Sequence, residues 1–148
     1  MPTTTASSRE EAQIRERIEV LAQALRAKDI DALMAHYAPG VVTFDLRPPL
    51  QVNGADAYRR NFEAWFASVQ GPIDYEIRDL RITMGDDVAF CYSLVHVKST
   101  RTTGEKADYW VRLTSGFQKM NGQWLITHEH VSVPITMETM RAAFDLQP

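Results

Sequence analysis

The closing stretch of the chain constrains its fold more than any other segment, because it has the pattern of a β-hairpin. One alternating run begins at Trp110 and a second at Trp124, with Asn121-Gly122 between them. Asparagine and glycine tolerate the positive φ of a type I′ turn, so this pair between alternating runs is a strong hairpin signal. The sequence therefore predicts two adjacent antiparallel strands here.

Titratable side chains crowd onto this predicted hairpin, where a purely structural sheet would favour valine and threonine. Arg112 lies on the first strand, and His128, Glu129 and His130 lie on the second. The hairpin is therefore a candidate functional element as well as a structural one.

Helical patterns precede the strands. A capping box at Ser8 opens a first amphipathic helix that is predicted to end near Ala27. Asp29 is predicted to cap a short second helix that includes Tyr37 and stops at Pro39-Gly40, and a strand follows over 41–46. Asn53 is predicted to cap a third helix.

The alternating pattern of the rest of the chain predicts β-strands. Apolar residues change parity near Asp79 without a turn, which predicts a β-bulge that bends the sheet. Residues 88–98 are apolar on both faces, as in a central strand. A short helix is predicted over Met137–Leu146. Helices followed by a bent antiparallel sheet indicate an α+β fold, and a sheet bent around a helix leaves an open-ended pocket.

Length, charge and cysteine content limit the kind of protein. The 148 residues fit one domain over 10–148, preceded by a predicted disordered leader over 1–9. Sixteen basic and nineteen acidic residues give a net charge of −3 without a basic run, so neither nucleic acid nor a membrane is an expected partner. A single cysteine, Cys91, allows no internal disulfide and favours a cytoplasmic location. Within an apolar run it is expected to be a small buried hydrophobe.

Five stretches of the chain, together with this order of elements, carry a resemblance to a known family: Ala24–Leu33, His36–Pro39, Val41–Asp45, Asn53–Tyr58 and Gly122–Ser132. They resemble the nuclear transport factor two-like (NTF2-like) superfamily, which includes ketosteroid isomerases, SnoaL-like polyketide cyclases and limonene epoxide hydrolase. The resemblance covers residues 10 to 134 and is greatest to the SnoaL-like and ketosteroid isomerase-like branch. It implies a cone-shaped fold, with N-terminal helices packed on a strongly bent antiparallel sheet, and a homodimer with one pocket in each subunit.

Asp45 and His96 are the candidate catalytic residues. By the resemblance, Asp45 ends the strand on which a ketosteroid isomerase carries its general base, whereas Leu21 and Ser115 stand where that family has its oxyanion donors. His96 shares a strand face with Tyr92, and in the resembling enzymes this face lines the pocket. The alternatives are a strand-end aspartate that binds backbone N–H groups and a histidine at the edge of the core.

The predicted substrate-binding residues combine aromatic and polar groups. They are Tyr58, Phe62, Trp65, Tyr92, Trp110, Arg112, Glu129, His128 and His130. Arg112 either pairs with Glu129 or Asp108, or binds a substrate oxygen. By the resemblance, Glu129 faces the cone while His128 and His130 face the dimer interface. Two histidines spaced by one residue are also compatible with a metal, but a third and fourth ligand are missing, so no metal is expected.

The sequence predicts a cofactor-independent acid–base enzyme of the isomerase, cyclase or hydrolase type, acting on a mostly apolar carbonyl or oxygenated molecule. No phosphate-binding loop or nucleophile elbow is present. The alternative is a non-catalytic ligand-binding or dimerisation module of the same fold, since one fold carries many functions.

Overall fold

The computed structural model describes residues 4–148, and its elements follow the predicted order of helices before strands. The helices are α1 (Thr4–Arg26), α2 (Ile30–Met34) and α3 (Ala55–Ala67). The strands are β1 (Tyr37–Phe44), β2 (Val52–Asn53), β3 (Val69–Met84), β4 (Val88–Arg101), β5 (Lys106–Met120), β6 (Gln123–Ser132), β7 (Ile135–Thr136) and β8 (Arg141–Ala142).

Helix boundaries follow the local capping chemistry. The Asp29 side chain accepts a hydrogen bond from the Ala32 backbone N–H at 3.2 Å and so caps α2, as predicted. Gly54, one residue after the predicted cap, precedes α3 with a φ of 92°, which glycine adopts without strain. Helix α1 begins at Thr4, so residues 4–9 of the predicted leader are helical, and residues 1–3 of it lie outside the described residues.

Two helix predictions are wrong. Tyr37 belongs to β1 instead of the second helix, which ends at Met34. The predicted C-terminal helix is replaced by the small hairpin of β7 and β8, with Met140 at a φ of 56°. Met137 and Met140 are exposed there, so no apolar surface supports a helical stripe.

One sheet contains β1 to β6 in the order β2-β1-β6-β5-β4-β3. Its pairs are antiparallel except β1 with β6, which is parallel. The predicted α+β fold, with helices packed on a strongly bent and largely antiparallel sheet, is confirmed. The predicted turn at Asn121-Gly122 is confirmed by φ values of 51° and 79°. The predicted bulge is confirmed as well, because Asp79 has a φ of 55° and the β3–β4 register shifts between Arg78 and Arg81.

A second bulge determines which side chains of β6 enter the core. Gly116 pairs with His128 and Phe117 pairs with Ile126, so Thr127 is an extra residue in β6. Trp124 and Ile126 are each 2% exposed and point inward, and after the bulge Glu129 also points inward. Simple alternation along β6 predicts that Trp124 and Ile126 share a face with His128 and His130, and the bulge makes this prediction wrong.

The helices cover the inner face of the curved sheet, and a cavity remains between them. The core includes Ile14 of α1, Leu33 of α2, Val95 of β4 and Trp124 of β6, each at most 2% exposed. The opposite, outer face of the sheet carries half-exposed aromatic side chains, including Phe90 and Tyr92. Within residues 4–148, no helix combines the length and apolar character that crossing a membrane requires.

Candidate active site

A cavity of about 400 Å³ lies between the helices and the inner face of the sheet. Its wall is mostly apolar, and Leu21, Leu25, Phe62, Val97 and Val111 contribute to it. Such a volume fits a small organic molecule, and an apolar wall with few polar groups is typical of a binding site for one.

Glu129 is the charged group placed deepest in this cavity. Its residue is 5% exposed, and its carboxylate accepts hydrogen bonds from three hydroxyl groups. Tyr58 donates to Oε1 at 2.8 Å, Tyr37 to Oε1 at 3.0 Å and Ser115 to Oε2 at 3.2 Å. Among the described residues, no arginine, lysine or histidine forms an ion pair with this carboxylate.

Burial without a counter-charge shifts the proton equilibrium of Glu129. The pKa of Glu129 rises from 4.5 to about 7, mainly because of desolvation. The hydrogen bonds from Tyr58, Tyr37 and Ser115 lower this pKa, and the charge of Asp45 raises it. The carboxyl group therefore exchanges its proton near neutral pH. A general acid or base works best under that condition.

The elements around Glu129 explain why its three partners meet there. Ser115 is the residue directly opposite Glu129 in the β5–β6 register. Tyr37 begins β1, which runs parallel to β6, and Tyr58 lies in the first turns of α3. The two tyrosine rings touch edge to face, with centroids 5.2 Å apart. Burial raises the pKa of both phenols well above 10, so they remain hydrogen-bond donors.

Asn61 adds an unsatisfied donor to the cavity wall. It lies three residues after Tyr58 on α3, so both side chains share a helix face. Its Nδ2 is buried and has no hydrogen-bond partner, although the residue lines the cavity. An unpaired buried amide costs about 1–3 kcal/mol, so it calls for an explanation. A ligand oxygen would satisfy it once the amide group turns toward the cavity, because Nδ2 itself is fully buried.

Asp45 lies where the cavity opens. The residue lines the cavity, and its Oδ1 accepts a hydrogen bond from the Leu46 backbone N–H at 2.7 Å. Arg47 and Arg101 line the same region. Asp45 therefore makes the backbone contact of the structural alternative and also faces the cavity.

The structure gathers only part of the predicted site. Tyr58, Phe62, Trp65, Asp45 and Glu129 line the cavity. Tyr92, His96, Trp110, Arg112, His128 and His130 do not line it. On β4 and β5, the neighbours Val97 and Val111 point inward, so alternation directs His96, Trp110 and Arg112 to the outer face.

The predicted meeting of Asp45 and His96 in one cavity is therefore wrong. His96 stacks on Trp110 with centroids 4.4 Å apart, and its Nε2 lies 2.6 Å from Asp108 Oδ1. His96 thus matches the alternative of a histidine at the edge of the core that contacts a neighbouring strand. No substrate inside the cavity touches Asp45 and His96 together.

Arg112 is also on the outer face, where its Nε–H donates to Ser132 Oγ at 3.0 Å. It forms no ion pair with Glu129 or Asp108 within residues 4–148, so the predicted partner is wrong. Arg112 and Glu129 cannot form an ion pair, because their side chains point to opposite faces of the sheet.

The two histidines of β6 enclose the ring of Phe44 on the outer side. The Phe44 centroid is 4.7 Å from that of His128 and 5.4 Å from that of His130, and His128 Nδ1 lies 2.7 Å from the Val42 carbonyl oxygen. Among the described side chains, no group of three His, Cys, Asp or Glu residues is placed to hold a metal ion.

Several lining residues were not identified from the sequence as site residues. Tyr37, Asn61, Arg47 and Arg101 are the polar ones that matter for the chemistry. The helical spacing between Tyr58 and Asn61 is a sequence signal that could have indicated Asn61. Tyr37 had no such signal, because its segment resembled the end of a helix.

The fold and cavity define a class of α+β cone proteins with an interior cavity. The family model of the SnoaL-like domain matches residues 14–136. The chain therefore belongs to the SnoaL-like family of the NTF2-like superfamily. No match is found among the curated proteins.

Solved structures agree with this assignment. An NTF2-like protein of unknown function from Pseudomonas putida KT2440 is 35% identical, with a TM-score of 0.88, and the match covers 96% of this chain and 99% of that one. A proposed scytalone dehydratase from Novosphingobium aromaticivorans DSM 12444 is 18% identical, with a TM-score of 0.77 and 94% coverage of both chains. The association domain of C. elegans CaMKII is 16% identical, with a TM-score of 0.68, covering 86% of this chain and 98% of that one. The last two similarities concern the fold alone.

Proposed function

We propose that this protein is a cofactor-independent acid–base enzyme that acts on a small, mostly apolar molecule with a carbonyl or similar oxygen function. The observation that carries the proposal is Glu129, a buried carboxyl group with a pKa of about 7 and no cationic partner among the described residues. A structural carboxyl group would gain from a cation, whereas a proton-transfer group needs a pKa near the working pH.

In the proposed step, the Glu129 carboxylate takes a proton from the carbon next to a carbonyl group. The electron pair of the broken C–H bond moves into the carbonyl, and the oxygen becomes an enolate. The Asn61 N–H donates a hydrogen bond to this oxygen, while Tyr37 and Tyr58 hold the carboxylate in position. If the Glu129 carboxyl group first exchanges its proton with solvent and then protonates the same carbon, the result is exchange; if it protonates the far carbon of a dienolate formed from an unsaturated substrate, the result is isomerisation.

Asp45 remains a proposed second acid–base group. It lines the same cavity, and its charge contributes to the raised pKa of Glu129. Two coupled carboxyl groups in one cavity are typical of sites that need both an acid and a base. The dehydratase name of one structural neighbour is compatible with this arrangement, because water elimination also needs both groups.

The test is a deuterium-exchange screen of simple carbonyl compounds. Cyclohexanone, phenylacetone, tetralone and small lactones are incubated with the protein in D₂O, and NMR follows the loss of the proton signals next to the carbonyl. We expect faster exchange than in buffer for at least one compound. If compounds that bind the cavity exchange no faster than in buffer, the non-catalytic ligand-binding module is the correct alternative.

The unpaired Asn61 donor gives a stability prediction. The Asn61→Leu variant removes a buried donor and has a better helix former, so its free energy of unfolding should rise by about 1–2 kcal/mol. Chemical denaturation measures this change. Ligands with a carbonyl oxygen should bind about tenfold more weakly to the variant. A variant that is less stable and binds ligand normally would contradict the assigned role.

A homodimer through the outer sheet face is part of the proposal. Phe90 and Tyr92 on this face are 47% and 51% exposed, and Phe44, which lies on β1 beyond β5 and β6, is 37% exposed. Exposed aromatic side chains on one sheet face are typical of a protein interface, which needs more than about 1,000 Å² of buried surface to be stable.

We expect the Phe90→Glu/Tyr92→Glu variant to sediment as a monomer at micromolar concentration, whereas the wild-type protein sediments as a dimer. The matched control is Val20→Glu on α1, because Val20 is 43% exposed but lies away from the sheet face. A wild-type monomer, or a control that dissociates equally, would contradict the proposed interface.

A further inference from the structure

Two arginines line the mouth of the cavity and form no ion pair among the described residues. Arg47 lies in the segment after β1, and Arg101 ends β4. Both line the cavity. Within the described part of the chain, neither guanidinium forms an ion pair or a side-chain hydrogen bond, although Arg59 pairs with both Asp31 and Glu63. The mouth therefore presents ten unused N–H donors, five from each guanidinium.

Both arginines affect the pKa of one cavity residue, Tyr109. It lines the cavity, and burial raises the pKa of its phenol, which Arg101 and Arg47 lower and Asp45 raises. Both arginines and Asp45 thus act on the same phenol. The three charged residues therefore line the same cavity and are each near enough to Tyr109 to affect its pKa.

The local charge indicates what the mouth attracts. Two positive groups and one negative group leave a single positive charge at the rim, although the whole chain carries −3. The wall behind this rim is mostly apolar. A complementary molecule has an apolar body and one negative charge at its end, and guanidinium groups bind carboxylates in a bidentate manner.

We propose that the cavity binds an amphipathic carboxylic acid, whose apolar body fills the interior and whose carboxylate lies at the mouth between Arg47 and Arg101. This inference names the substrate class for the proposed acid–base site, and so it rests on the proposed function. The orientation leaves the apolar part of the molecule toward Glu129, with any carbonyl group within it available to Asn61.

The test compares each acid with its neutral isostere. Phenylbutanoic, phenylhexanoic and naphthylacetic acids are titrated beside their primary amides by calorimetry, with wild-type protein and the Arg47→Gln/Arg101→Gln variant. We expect the acids to bind wild type about tenfold more tightly than the amides, with a preference that weakens as salt increases. The variant should bind acids and amides about equally, with amide affinity unchanged.

Arg60→Gln is the matched control, because Arg60 is an exposed arginine of α3 that does not line the cavity. It should keep the preference for acids. Equal binding of acids and amides by wild type, binding of neither class, or a preference that survives in the double variant would overturn the inference.

The outcomes also separate this inference from the proposed function. Arginine-dependent binding of acids, together with carbonyl exchange that is unaffected by loss of Glu129, would leave the anion site in place and remove the proposed chemistry. Glu129-dependent exchange of neutral ketones without any preference for acids would support the proposed chemistry and remove the anion site.

Discussion

The Glu129→Gln variant is expected to catalyse proton exchange about 10²–10⁴ times more slowly than the wild-type protein while binding ligands with similar affinity. Glutamine keeps the shape of the side chain and retains an oxygen that accepts from Tyr37 and Tyr58, but it cannot take up a proton. NMR exchange rates in D₂O give the loss of turnover, and calorimetry gives the affinity.

The pH profile distinguishes this role from simple substrate positioning. A general base with a pKa of about 7 gives a wild-type rate that rises with pH and levels off above that value. Glu16→Gln, on the exposed side of α1, serves as the control and should exchange normally. A Glu129→Gln variant with full turnover and a raised KM would assign the residue to binding instead.

The second large effect is a loss of stability as the pH rises. The pKa of Glu129 is 4.5 in the unfolded chain and about 7 in the folded protein, so the folded state holds the proton more tightly. Below 4.5 both states are protonated, and between 4.5 and 7 only the unfolded chain loses its proton. Glu129 should therefore lower the free energy of unfolding by roughly 2–3 kcal/mol between about pH 5 and about pH 8.

The comparison with Glu129→Gln isolates this contribution, because both proteins contain the same other titrating groups. The pKa of His36 is lowered by burial and by Arg17, and its titration changes the free energy of unfolding of both proteins alike. Urea denaturation over this pH range should show that the free energy of unfolding of the wild type falls relative to that of the variant as the pH rises. A constant difference would mean that Glu129 is already ionised at acidic pH.

The sequence predicted those features that depend on local backbone chemistry. The Asn121-Gly122 turn and the Asp79 bulge both follow from residues that adopt positive φ or from a change of parity. The inward direction of Glu129 was predicted through the resemblance. The bulge at Thr127, which separates Trp124 and Ile126 from the histidine face, has no comparable signal, because it depends on the register with β5.

The wrong prediction that His96 lies in the cavity has a different origin. Alternation correctly grouped His96 with Tyr92, but period 2 does not show which of the two faces is inside when both are apolar. Val95 and Val97 on the other face are 0% and 3% exposed, so the small residues form the core and the large aromatic ones face outward. The same ambiguity led to the wrong prediction that Arg112 belongs to the site.

The polar groups that complete the cavity come from separate segments of the chain. Tyr37 reaches Glu129 across 92 residues and Tyr58 across 71. Such contacts depend on the parallel pairing of β1 with β6 and on the docking of α3, which no local pattern specifies. The carboxyl groups that line the cavity, Asp45 and Glu129, were therefore more predictable than the hydroxyl groups that contact Glu129.

The lone cysteine offers a practical advantage for following this protein in solution. Cys91 is 5% exposed, and burial together with the nearby Glu129 raises the pKa of its thiol to about 11. A thiol that is both shielded and protonated reacts slowly with maleimides and spin-label reagents. A cysteine introduced at an exposed position would therefore be labelled selectively, and the distance between two such probes would report how two copies are arranged.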